Sequence, residues 1–235
     1  MEPDVTESVF FYKLWAWGDR NKKQLLWGLV AVVVVGVGVA FWLAHQSELQ
    51  TDASDALSKL TNQGMGSRAA EPTADALLKM AAEYPNTAAA QRALLLGAAD
   101  LFDAGKYDEA QAQFQKFVKD YSDSPLMAQA ALGSASCLDA QGKTNEAASA
   151  YQSIIDRYPT QNVVPQARLS LARLLEAQGK VKEARSNLEE ILHSSAGTIT
   201  SEAAAHLQEL NKAHPEETAT NAAASAPVPS LNPKP

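Results

Sequence analysis

Four histidines, one cysteine and a thrice-repeated glutamate are the side chains with the most scope for chemistry in this 235-residue chain. His45, His193, His206 and His214 are scattered, and no pair stands at metal-ligand spacing with a Cys or an acid on the same helical face. Cys137 falls inside a helical pattern and is expected to be a small, buried, apolar side chain. A single cysteine excludes an intramolecular disulfide. Glu109, Glu146 and Glu183 recur at intervals of 37 residues, each near the start of a predicted helix. A carboxylate there meets the positive end of the helix dipole, so structure accounts for all three without acid–base catalysis. No Gly-x-Ser-x-Gly elbow, phosphate loop or dinucleotide fingerprint is present. The expectation is a protein that is not an enzyme, with no catalytic residue, no metal and no cofactor.

Charge narrows the partners. The formal net charge is −7. Residues 1–24 hold four acids and four bases, so the other 23 acids and 16 bases carry all of it. Phosphate binding relies on clustered Lys and Arg, and no basic patch is visible; nucleic acid is not expected.

Leu25 to Leu43 reads LLWGLVAVVVVGVGVAFWL, nineteen residues without a charge. As a helix it would be about 28 Å long, close to the hydrocarbon thickness of a bilayer. Trp27 and Trp42 stand near its ends, where amphipathic rings prefer to lie. Gly38-Val39-Ala40 is a passable cleavage site, but the run is longer than a signal core and 24 residues precede it, which favours an uncleaved anchor. Lys13, Arg20, Lys22 and Lys23 come before the span, whereas Glu48, Asp52 and Asp55 follow it and the next base is Lys59. This asymmetry keeps the N-terminus in the cytoplasm and exports the rest; in a bacterium that is an inner-membrane protein with a periplasmic domain. Val9–Trp17 (VFFYKLWAW) reads as an interfacial anchor or a partner patch. Gly36 and Ala40 form a small-xxx-small pair that leaves a homo-oligomer open.

The elements that follow come in copies. GKYDEA at 105–110, GKTNEA at 142–147 and GKVKEA at 179–184 are spaced by 37 residues. The same register aligns Ala93, Ala130, Ala167 and Ala204, then Ala98, Ala135 and Ala172, then Leu77, Phe114, Tyr151 and Leu188. It also aligns Met80, Phe117, Ile154 and Ile191, and closes on Tyr84, Tyr121 and Tyr158. Each unit reads as two helices. In the middle copy Met127–Gln141 is the first, Gly142 supplies the positive φ that ends it, and Thr144 is placed to cap a second helix running to about Arg157. Ser54–Asn62 is expected to be the first helix of a degenerate opening copy, whose turn is replaced by Arg68–Thr73. Ser201–His214 is expected to be a capping helix with Glu202, Glu209 and Lys212 on its wet face. From Pro215 the chain is rich in Ala, Pro, Ser and Thr without periodicity, and reads as a disordered tail.

These residues resemble the tetratricopeptide repeat family: Ala98, Ala135 and Ala172, the Gly turn, then Ala110, Ala147 and Ala184 with an aromatic or aliphatic residue four positions on. The resemblance implies an all-α chain, with one N-terminal transmembrane helix followed by a helix-turn-helix superhelix and a C-terminal capping helix. Its parts would be a cytoplasmic stub (1–24), the span (25–43), the repeat domain (44–214) and the tail (215–235). The overall plan resembles the ancillary subunit of the bacterial Sec translocon. That implies a protein–protein interaction module whose partners are the translocon, periplasmic chaperones or exported chains; the alternative is a structural scaffold in envelope biogenesis or division. Family analogy places the first helix of each copy on the concave side. The candidate partner-binding residues are then Arg92, Phe102, Asp103, Gln129, Ser136, Asp139, Gln166, Arg173 and Glu176.

Overall fold

The computed structural model describes residues 22–63, 73–194 and 197–215. Their regular structure is helical throughout, with no strand among them. The stub up to residue 21, the stretch 64–72 and the tail from residue 216 lie outside the described residues. The chain forms two units, Met1–Asp55 and Ala56–Pro235.

Helix α1 is Lys22–Gln63. It contains all of Leu25–Leu43 and runs on without a break through Ser54–Asn62, which therefore is not a separate helix. Between Leu43 and Asn62 there is no glycine or proline to stop it. The hydroxyls of Ser47, Thr51 and Ser54 satisfy themselves on the carbonyls of Ala44, Ser47 and Gln50. The large apolar side chains from Leu26 to Trp42 are exposed, Trp27 at 73%.

The second unit continues with α2 (Ala74–Glu83), α3 (Ala88–Asp103), α4 (Tyr107–Asp120), α5 (Met127–Ala140), α6 (Thr144–Arg157), α7 (Val164–Ala177), α8 (Val181–Ser194) and α9 (Thr198–Ala213). Each helix from α2 onward packs on the next, while α3 also touches α5 and α7 touches α9. This is a stack of helix hairpins, with α3, α5, α7 and α9 as first helices and α2, α4, α6 and α8 as second helices.

The hairpin corner is built the same way three times. Gly105, Gly142 and Gly179 have φ of +76°, +74° and +74°, a conformation that costs a β-carbon-bearing residue about 1 kcal/mol or more. With the chain so bent, the N–H of Lys106, Lys143 and Lys180 reaches the carbonyl of Leu101, Leu138 and Leu175 at 2.9, 2.9 and 2.8 Å, closing a Schellman motif. The tight corner makes Lys143, not Thr144, the residue before α6. Thr144 is the first helical residue, and its hydroxyl donates back to the Gly142 carbonyl at 3.4 Å instead of capping.

Behind each corner Ala110, Ala147 and Ala184 are fully buried, which lets the two helices approach closely. Leu77, Phe114, Tyr151 and Leu188 fill the next layer, and Met80, Phe117, Ile154 and Ile191 the one beyond. Tyr84, Tyr121 and Tyr158 end the second helices, each N–H bonded four residues back to Met80, Phe117 and Ile154. The register then breaks. At 195 the repeat would have Tyr but the sequence has Ser, with no proline after it. Helix α9 begins four residues after α8 ends (198 against 194), whereas α7 begins seven after α6 (164 against 157). The final helix is thereby advanced by one position: Ala203 is buried and Ala204 exposed, the reverse of what the 37-residue alignment implies.

Candidate functional site

Positions 92, 96, 99 and 103 follow a spacing of four, three and four, so they share one face of α3. The same face recurs as 129, 133, 136 and 140 on α5 and as 166, 170, 173 and 177 on α7. After the one-residue advance it becomes 202, 206, 209 and 213 on α9. Of the nine expected partner-binding residues, Arg92, Asp103, Gln129, Gln166 and Arg173 are exposed. Phe102, Ser136, Asp139 and Glu176 are half-buried, each for a visible reason. The Phe102 ring lies against Tyr107 of the adjacent corner, centroids 5.2 Å apart and tilted by 58°.

The other three belong to a polar ladder across α5, α7 and α9. Tyr151 rises from α6, and its hydroxyl reaches Ser136 Oγ at 3.3 Å. Ser170 and Asp139 also stand within hydrogen-bonding reach of that phenol. Burial pushes the Tyr151 phenol above its usual range, while the two serines partly offset this. Burial likewise raises the Asp139 carboxyl, against the opposing pull of the Arg173 charge and the Tyr151 hydrogen bond. Arg173 in turn pairs with Glu202 on α9. One turn further along α7, Glu176 Oε2 lies 2.6 Å from Nε2 of His206. Ser136, Asp139 and Arg173 are thus drawn into one set and Glu176 into a separate pair with His206, whereas Arg92, Gln129 and Gln166 stand apart from both.

Sequence reasoning missed Tyr151 (read as core filler), Ser170, Glu202 (read as outer-face solubility) and His206 (read as isolated). It also missed Leu96, 45% exposed, which outside α1 is the one large apolar side chain so exposed among the described residues. The usable signal was helical spacing from Arg92 and Gln166; for α9 it was hidden by the register advance.

No group of three or more His, Cys, Asp or Glu that could hold a metal ion occurs among the described residues. Cys137 is fully buried, and desolvation raises its thiol to about 11, so it behaves as a small apolar group. Grooves of about 700 Å³ between α6 and α8 and about 320 Å³ between α4 and α6 open on the side of the second helices. They recur with the repeat and are lined by solvated residues such as Gln115, Gln152, Asp156 and Asn187. Stacked second helices leave such furrows, and they gather no set of interacting groups comparable with the ladder.

A family model for the tetratricopeptide repeat-like domain matches residues 15–148 and 111–206. The chain belongs to the tetratricopeptide repeat-like family. Its hairpins, glycine corners and alanine contacts are those of a protein–protein interaction scaffold. Among solved structures, the repeat protein is similar to MamA, at 18% identity and a TM-score of 0.49 over 80% of this chain and all of that one. It is similar also to BtubC (BKLC) from P. vanneervenii, at 12% identity and a TM-score of 0.47, covering 73% of this chain and 67% of that one. No curated protein matches the sequence.

Proposed function

We infer that the chain is a non-enzymatic, membrane-anchored adaptor whose first-helix face binds protein partners outside the cytoplasm. In this reading residues 25–43 cross the inner membrane with the N-terminus in the cytoplasm. The repeat domain serves the Sec translocon and the periplasmic chaperones that receive exported chains. The observation that carries the anchor is the state of α1. Its large apolar side chains from Leu26 to Trp42 stand exposed among the described residues. At about 25 cal/mol per Å², leaving that surface in water is strongly unfavourable. The run Val32–Val35 adds a second argument. Four consecutive β-branched residues are poor helix formers in water, but in hydrocarbon a helix is the way a single segment satisfies its own backbone. The binding role rests on the family fold and on the exposed, chemically varied first-helix stripe.

In-cell photo-crosslinking from Phe102 and from Gly36, with mass spectrometry of the adducts, tests both parts. The expected result is translocon components at Gly36 and exported chains or chaperones at Phe102. Adducts confined to the protein itself, or to division and wall-building proteins, would overturn this reading in favour of an envelope scaffold.

A further inference from the structure

The first-helix face is periodic in backbone and graded in chemistry. One position reads Leu96, Gly133, Ser170 and His206 from α3 to α9; another reads Phe102, Asp139, Glu176 and Lys212. The α3–α5 end carries the exposed apolar surface of the stripe, set among Arg92, Asp103 and Gln129: Leu96 is exposed and Phe102 is half-exposed. The end toward α9 is acidic. Along the whole stripe Asp103, Asp139, Glu176, Glu202 and Glu209 outnumber the permanent cations Arg92, Arg173 and Lys212, and Arg173 is already engaged by Glu202. Asp103 makes no ion pair among the described residues.

Resting on the reading that this face binds protein, we propose that its ligand is an extended peptide segment with a bulky apolar side chain next to lysine or arginine. The apolar group sits on Leu96, and the cation meets Asp103, two turns further along the same face of α3, and Asp139 on α5. Two physical arguments select that chemistry. An apolar side chain gains most where apolar surface is already exposed and little water need be displaced from polar groups. A cation beside Asp139 relieves a carboxylate that burial disfavours, while an acidic segment would meet like charge at Asp103, with Arg92 eleven residues, about 16 Å, back along α3.

The test uses the full chain in detergent micelles and fluorescein-labelled Gly/Ser dodecapeptides read by anisotropy. One peptide carries a phenylalanine followed by two lysines, a second a phenylalanine followed by two glutamates, and two more carry the phenylalanine or the lysines alone. The Phe–Lys–Lys peptide is expected to bind at least about tenfold tighter than the Phe–Glu–Glu peptide, and tighter than either half alone. Leu96→Ala and Asp103→Lys should each weaken it about tenfold. Both positions are exposed, so both variants should melt with the parent in circular dichroism. Equal binding of the acidic peptide, or full binding by both variants, overturns the proposed chemistry while leaving a face that binds protein. Absence of binding by all four peptides also overturns it, and the Phe102 crosslinks then decide separately whether the adaptor reading stands.

Discussion

A β-carbon at Gly133 would fall 2.7 Å from Cε2 of Phe114, so the phenyl ring on α4 occupies the space that a side chain on α5 would need. Phe114 itself is buried. Gly133→Ala therefore overpacks a rigid contact and should lower stability by about 1–3 kcal/mol. The reading is a lower urea midpoint at unchanged slope. Adding Phe114→Leu should recover part of the loss, and a Gly133→Ala chain as stable as its parent would contradict the contact.

Gly142 makes the opposite case. Nothing lies within 4 Å of its would-be β-carbon, but its φ is +74°. Gly142→Ala should cost about 1 kcal/mol through backbone conformation alone. Gly142→Asn, which tolerates the left-handed region, should cost less. Equal losses for Ala and Asn in thermal melts would mean that the Schellman corner is not the source.

Asp139 gives a pH dependence whose sign can be worked out. Its carboxyl is raised above 3.8 in the folded protein, chiefly by burial. Stability linked to it is fully present below that unfolded value and is lost as pH rises through the folded one. Asp139→Asn abolishes this loss, so the variant should gain on the parent between about pH 3 and about pH 7. The gain should grow in a Tyr151→Phe background, where a hydrogen bond that favours the carboxylate is gone. A relative loss over that interval would show that Arg173 outweighs burial.

Cys137 should report global opening. Full burial and a thiol raised to about 11 leave it both inaccessible and protonated near neutral pH. Labelling by N-ethylmaleimide should be immeasurably slow in the native chain and complete in guanidinium. Fast labelling without denaturant would place the α5–α6 hairpin among locally opening segments.

The last helix is held by apolar contact more than by charge. Arg173 and Glu202 are each about half exposed, and such a pair contributes about 0–1 kcal/mol, screened by salt. Leu210 is fully buried, and Leu210→Ala should cost about 2–5 kcal/mol. A double-mutant cycle on the pair at low and high salt, set beside Leu210→Ala, checks the ranking.

The hairpins were legible because every copy faces the same packing demand. A small residue is required where two helices cross at 110, 147 and 184, and a glycine where φ turns positive at 105, 142 and 179. Register in α9 was not legible, since it depends on the length of the connection after Ser194 and not on any core residue. The ladder was also out of reach: Tyr151, Ser136, Ser170 and Asp139 come from three helices, and only the packed hairpins bring them together. Half the face was visible in the helical spacing from Arg92, yet Leu96, four residues on, was passed over because exposed leucines leave no mark in a pattern made to find buried ones.

The sequence of side chains at 96, 133, 170 and 206 has a consequence for anything lying along this stack. On a strictly periodic surface a ligand could slip by one repeat at equal free energy. Here leucine, glycine, serine and histidine occupy equivalent places, so each slip exchanges unlike neighbours. The scaffold supplies a ruler and the side chains number its marks, fixing the offset of whatever is measured against it.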